Sequence, residues 1–151
     1  SAFSDNKNKN FVTSIDGELV NLGKTNISFS PEIVSSVNLS YSPKVNMVLS
    51  ILNKYVGEQY MSNTDSVFSK LDAYSVIDFN FNYNFKNTFF FSEIVLSGVV
   101  SNLFGSEYVS NGYYYTYDDT WSDPNSITTI EGTGYYPQAT RNYMLGLKFK
   151  L

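Results

Sequence analysis

The 151-residue chain has no cysteine and no histidine, and its ten basic residues include one arginine, Arg141. Without thiols there is no disulfide framework and no thiolate chemistry. Without thiols and imidazoles together, the usual ligand sets for zinc, haem and iron-sulfur centres are missing, so neither a metal nor a cofactor is expected. A net charge of -4 with a single arginine offers no cluster to grip a phosphate backbone, and nucleic acid is not an expected partner. Charged residues make up only 16% of the chain, against about 25% in an ordinary soluble domain. Long apolar runs are absent too. The best helical candidate, Phe89 to Phe104, is interrupted by Ser92, Glu93, Ser97, Ser101 and Asn102, whereas a spanning helix wants about 20 mainly apolar residues. No secretory signal opens the chain, which begins Ser1-Ala2-Phe3, and the expectation is a piece of a longer protein.

What is present points to strands. Hydrophobic residues amount to 42% and aromatic residues to 17%, with Asn and Ser as the main polar partners, a mixture that suits β-structure. The length fits one domain. At the C-terminus, Tyr143, Leu145, Leu147, Phe149 and Leu151 share one parity, while Asn142, Gly146, Lys148 and Lys150 occupy the other. Successive strand side chains point to opposite faces, so one face of this segment can sit against hydrocarbon while the lysine face stays wet. The same alternation is clearest at Ile77, Phe79, Phe81, Tyr83 and Phe85, set against Asp78, Asn80, Asn82, Asn84 and Lys86. On a helix, period 2 would scatter these apolar groups around the cylinder.

Turn signals divide the chain into six strand-like runs. They lie at about Ala2 to Thr13, Ile27 to Ser42, Val45 to Tyr60, Ile77 to Lys86, Glu93 to Leu103 and Arg141 to Leu151. Pro43-Lys44 is the expected tight turn after the second run, because proline fixes its own φ and cannot donate to a ladder. Polar loops are expected around Asp16-Gly17 and Gly23 and from Met61 to about Asp72, and a long tyrosine-rich loop from Phe104 to about Thr140. Connections of that last length are uncommon in compact domains and often functional. Short and long connections alternate along the chain. With the C-terminus in the periplasm, every short turn falls on the periplasmic side and every long loop outside, the asymmetry of outer-membrane barrels.

Several segments together resemble the C-terminal part of the barrel of TonB-dependent outer-membrane receptors. They are Asn21 to Pro31, Asn53 to Met61, Lys70 to Tyr83, Ser101 to Tyr117, with its NLF followed by Tyr108, and Tyr135 to Leu151. The resemblance implies an all-β chain forming about six transmembrane antiparallel strands, the last of a 22-stranded barrel, in the outer membrane of a Gram-negative bacterium. Residues 1–151 would then be the C-terminal part of a single barrel domain, with the plug and the earlier strands outside this chain. It also implies a receptor, not an enzyme, that imports a bulky nutrient such as a siderophore, glycan or peptide. Its partners would be outer-membrane lipid, the rest of its own barrel and plug, the TonB complex through the upstream part, the barrel-assembly machinery and an extracellular ligand. The assembly signal falls on Gly146, Phe149 and Leu151, although the family commonly ends in Phe, and Met144 stands where that signal usually has a polar residue. The first run, with Lys7 and Lys9 on the parity of Phe3 and Phe11, is too charged for a full lipid-facing stripe.

Six strands alone cannot span a bilayer as an open sheet, since each unpaired backbone group in lipid costs several kcal/mol. The ladder must be completed by another segment. On this reading Ile77, Phe79, Phe81, Tyr83, Phe85, Tyr143, Leu145, Leu147 and Phe149 face lipid. Tyr113, Tyr114, Tyr115, Tyr117 and Trp121 are the candidate ligand-binding residues, presenting flat apolar faces with polar tips. The competing reading makes them an interfacial girdle or loop packing, as is expected of Tyr41 and Tyr55 on the strands. Asp118, Asp119, Asp123 and Glu131 lack the spacing of a known calcium loop and read as a solvated acidic loop. Asp78 and Glu93 read as wet-face residues, not as an acid-base pair. Two rival functions remain: a passive porin or adhesin-like barrel, which would lack an upstream plug, and a secreted carbohydrate-binding β-sandwich, whose apolar faces would be packed inside.

Overall fold

The computed structural model describes residues 1–88, 90–123 and 125–151; Phe89, in the expected short connection after the fourth run, lies outside the described residues. The chain is all-β. Its strands are β1 (Ala2–Phe3), β2 (Lys7–Ile15), β3 (Glu18–Asn26), β4 (Ile33–Lys44), β5 (Met47–Val56), β6 (Gln59–Tyr60), β7 (Lys70–Leu71), β8 (Tyr74–Thr88), β9 (Phe91–Ser101), β10 (Val109–Asp119), β11 (Thr128–Pro137) and β12 (Asn142–Lys150), with one 3-10 turn at Val67–Ser69. The largest sheet has the order β1-β4-β5-β8-β9-β12 and is open; β2-β3, β6-β7 and β10-β11 form separate two-stranded sheets. The expected six runs are thus neighbours in chain order. Two compact units divide the chain, one of residues 1–34, 56–74 and 108–138, the other of residues 35–55, 75–107 and 139–151.

The second unit is a sheet whose two faces differ. Phe79, Phe81, Tyr83 and Phe85 on β8 stand opposite Val100, Gly98, Leu96 and Ile94 on β9. Those in turn stand opposite Tyr143, Leu145, Leu147 and Phe149 on β12. Directly opposed residues share a face, so these twelve positions form one apolar surface. Gly98 completes that surface by leaving room: a Cβ there would lie 2.7 Å from the Phe81 ring, which covers the glycine. On the other face Asn80, Asn82, Asn84 and Lys86 are registered with Val99, Ser97, Val95 and Glu93. That face continues into Met144, Gly146, Lys148 and Lys150. Lys86, Glu93 and Lys150 fall in one row across it, alternating in sign, and Asn84 donates to Glu93 Oε1. Asp78 accepts from the Asn102 amide at 2.9 Å and pairs with Lys54 at 3.2 Å.

Among the described residues of this unit, no second layer covers the apolar face. Tyr143, Leu145, Leu147 and Phe149 are 70%, 71%, 59% and 53% exposed, whereas Ile77, Phe79, Phe81 and Tyr83 are half-buried against their neighbours and Phe85 is exposed. Among the described residues of the whole chain, only Met61, Leu71 and Val76 are buried apolar side chains.

Several expectations need correction, among them the third run, whose end Gln59–Tyr60 pairs with Lys70–Leu71 of the expected polar loop in a sheet of its own. The turn between β4 and β5 is Val45–Asn46, not Pro43-Lys44. Pro43 needs no N–H at the end of a strand, and Asn46 closes the turn region by exchanging hydrogen bonds with the Asn84 backbone at 2.8 and 3.0 Å. The first run is broken into β1 and β2, because Lys7 is drawn into an ion pair with Glu32 at 2.9 Å and a hydrogen bond to Asn26 instead of continuing the sheet. The polar stretch after it is the hairpin partner β3, turned at Asp16 and Gly17 with φ of 53° and 79°. Two consecutive positive φ values suit the right-handed twist of a hairpin, and Asp-Gly supplies them at low cost. The long segment from Phe104 to Thr140 is no loop for most of its length but the hairpin β10-β11.

The first unit is built from the long connections. Asp65 accepts from the Asn26 amide at 2.9 Å and from the Asn26 side chain at 3.0 Å, and Asn63 accepts from the Ser28 amide at 2.7 Å. These bonds fix the segment after β3 against the one after β6. Gly112 permits the approach of β10 to that segment: a Cβ there would stand 2.4 Å from the Gly134 carbonyl oxygen and 2.7 Å from Met61 Sδ.

Candidate functional site

The hairpin β10-β11 sorts the candidate aromatic residues by parity. Tyr113, Tyr115 and Tyr117 are paired with Gly134, Gly132 and Ile130 and share one face, while Tyr114 is paired with Thr133 and points to the other. On the first face the tyrosines form a row that Trp121 extends. Ring centroids are 6.4 Å apart for Tyr113–Tyr115, 6.4 Å for Tyr115–Tyr117 and 6.2 Å for Tyr117–Trp121, with planes within 19°, 15° and 10° of parallel. Tyr136 joins the row at Tyr113 with centroids 6.1 Å apart.

The glycines of β11 hold this row in place. A Cβ on Gly132 would lie 2.3 Å from Tyr115 Cζ, and one on Gly134 equally close to Tyr113 Cζ. Each tyrosine therefore reaches across the strand pair and covers bare backbone, so that one ring edge is supported and the other stays accessible. The row is thus ordered by its own packing within the hairpin.

Beyond the row, two carboxylates shape the chain around Trp121. Asp119 accepts from the amides of Trp121 and Ser122, both at 3.1 Å, and Asp123 accepts from the Asn125 amide at 2.9 Å and the Ser126 hydroxyl at 3.0 Å. The hydrogen bond from the Ser122 side chain, then the backbone donors, holds the Asp119 carboxyl below the ordinary aspartate range, and the Asn125 amide does the same for Asp123. Among the described residues no three acidic groups converge as metal ligands.

The opposite face of the hairpin lines a cavity of about 590 Å³. On that face Tyr114 donates to Glu131 Oε1 at 2.5 Å from one strand to the other. Burial first, then the hydrogen bond to Glu131, holds the Tyr114 phenol above its ordinary value, so it remains a neutral hydroxyl. One wall is closed by the tip of β2-β3. The Asp16 amide donates to Thr129 Oγ1 at 2.6 Å, and the Thr129 amide donates to Asp16 Oδ1 at 2.7 Å. Thr129 Oγ1 also donates to Asp118 Oδ1 at 2.7 Å, and Ser14 donates to the other oxygen of Asp118 at 3.2 Å. Thr64, Ser66 and Phe68 complete the lining. Sequence reasoning did not find this cavity, because its walls come from segments as far apart as Asp16 and Thr129, 113 residues from each other, most of them read as loops. The Asp16-Gly17 hairpin signal was the one local clue.

In the second unit the three residues expected to form an assembly signal lie on or beside β12. Gly146 is paired with Ser97, and a Cβ there would meet Ser97 Oγ at 2.7 Å. Phe149 packs on Phe91 with ring centroids 5.0 Å apart, and Leu151 is exposed. No protein-family model, curated protein or solved structure matches the chain.

Proposed function

We propose that this chain supplies wall strands and ligand-facing surface of an outer-membrane β-barrel, and specifically of a TonB-dependent receptor that imports a bulky nutrient. The observation that carries the barrel reading is the apolar face of β8, β9 and β12, which has no covering layer among the described residues of its unit while the opposite face carries Lys86, Glu93, Lys148 and Lys150. A contiguous exposed apolar surface on this scale requires a partner, and hydrocarbon is the partner that accepts a sheet with one dry and one wet face. Strand lengths agree: β9 has 11 residues and β12 has 9, within the span of about 9 to 11 that a tilted strand needs.

Chain connectivity supports the same reading. The connection β4 to β5 takes two residues, whereas β5 to β8 and β9 to β12 pass through the whole of the first unit's later segments. Long connections that fold into hairpins of their own, with an ordered aromatic row and a cavity, suit the capture of a ligand outside the cell. The TonB-dependent mode rests on the sequence resemblance at Ser101 to Tyr117 and Tyr135 to Leu151. In this reading β12 closes the barrel and presents Gly146, Phe149 and Leu151 to the assembly machinery, and the TonB complex acts through the upstream plug.

Fractionation of the full-length protein tests the barrel: it is expected in the outer membrane, folded and heat-modifiable on gels, and recovery from the water-soluble fraction would support the β-sandwich instead. A transport screen tests the mode. Strains lacking this gene and strains lacking TonB are expected to lose uptake of the same nutrient, and uptake that survives loss of TonB would support a passive porin.

A further inference from the structure

We infer that the cavity beneath β10-β11 is a binding site for a neutral oligosaccharide. The argument is chemical. Hydroxyl groups dominate its polar lining, among them Ser14, Thr64, Ser66, Tyr114 and Thr129, and carboxylates are present at Asp16 and Glu131, but among the described residues no lysine or arginine lines it. Ser14, Tyr114 and Thr129 already donate their protons to Asp118 and Glu131, so their oxygens are left to accept from the hydroxyls of a sugar, and a carboxylate accepts from such hydroxyls with its spare lone pairs. An anionic ligand would meet two carboxylates with no cation to offset them and is disfavoured.

Size and order agree with that class. A cavity of about 590 Å³ lies inside the range of about 300 to 1,000 Å³ typical of small-ligand pockets. Phe68, Ile15 and Leu22 contribute apolar surface for the C–H face of a pyranose ring. The polar groups are already oriented: Tyr114 is fixed by Glu131, and Thr129 is held between Asp16 and Asp118. Such a built-in hydrogen-bond network loses little freedom on binding. Tyr114 and Glu131 are the expected specificity pair.

This inference takes its cellular setting from the receptor reading, but its test does not. The full-length purified protein would be titrated calorimetrically with maltotriose, cellotriose, xylotriose and mannotriose, and with citrate as the anionic probe. At least one trisaccharide is expected to bind and citrate not to bind. Tyr114→Phe and Glu131→Gln, each checked for retained folding, are expected to weaken that binding about tenfold or more, since each removes a hydrogen bond inside the site. Binding by none of the sugars, equal binding of citrate, or sugar binding that both variants keep would overturn it. So would binding lost in Trp121→Ser but kept in Tyr114→Phe, which would place the sugar on the aromatic row. Sugar binding by a protein found in the water-soluble fraction would leave this site standing and remove the receptor reading alone.

Discussion

Arginine placed along β12 should read out the depth of a membrane. The strand runs over the nine residues Asn142–Lys150 with Gly146 at its middle. At a rise of about 3.4 Å per residue and a tilt of about 45°, it climbs roughly 20 Å, comparable with an apolar band of about 25 Å. Leu145 and Leu147 flank the midpoint, each within about 3 Å of mid-height by the same arithmetic. Both are on the face shared with Gly98 and Leu96 of β9. Leu145→Arg and Leu147→Arg should therefore each destabilise the barrel by about 2 to 4 kcal/mol, and Tyr143→Arg, near the strand end, by about 0 to 1 kcal/mol. Lys148→Arg, on the wet face beside Leu147, should be nearly neutral. Equilibrium unfolding of the full-length protein in lipid vesicles gives all four values. A flat profile, or a cost for Lys148→Arg equal to that for Leu147→Arg, would refute the facing assigned to β12.

Two further expectations concern the first unit. Because the Tyr115 ring occupies the space of a Cβ on Gly132, Gly132→Ala should destabilise the hairpin in the wild-type background but be neutral or stabilising together with Tyr115→Ala; additive effects in this double-mutant cycle would show that the ring does not rest on the glycine. Asp119 and Asp123 have carboxyls held below their ordinary range, so their contribution is present above the unfolded-state aspartate pKa and is lost as pH falls through their lower folded values. The environment of Trp121, the sole tryptophan, should change over that acidic window in a fluorescence titration, and Asp119→Asn should remove the change; an unaltered transition in that variant would contradict the assignment.

How much of this was legible in the sequence depended on whether the two faces of a strand carry unlike residues. On β8 and β12 they do, phenylalanine and leucine against asparagine and lysine, and period 2 located both strands and their neighbours. On β10 the run Tyr113-Tyr114-Tyr115 gives both faces the same residue, so alternation vanished and a strand read as loop. Its partner β11 was equally hidden, because Gly132 and Gly134 are turn signals in isolation and become strand residues only where tyrosines lie over them. The hairpin β2-β3 was obscured by charge on Lys7 and Lys9, although Asp16-Gly17 is a strong local turn signal. The candidate tyrosines were found by composition, but their division between an exposed row and a cavity needed the register of β10 on β11. The cavity itself needed tertiary structure, as its walls meet only when both hairpins are folded.

The central claim is that the face of β8 bearing Ile77, Phe79, Phe81, Tyr83 and Phe85 meets hydrocarbon. The chain has no cysteine, so single-cysteine variants at positions 77 to 86 can each carry one nitroxide spin label in the full-length protein reconstituted into lipid vesicles. Collision with dissolved oxygen, which concentrates in lipid, and with a water-soluble nickel complex then reports the surroundings of each position. The account predicts an alternation of period 2, with high oxygen and low nickel accessibility at 77, 79, 81, 83 and 85 and less oxygen with more nickel accessibility between them. Uniform accessibility along the strand, or nickel accessibility highest at the odd positions, would contradict it.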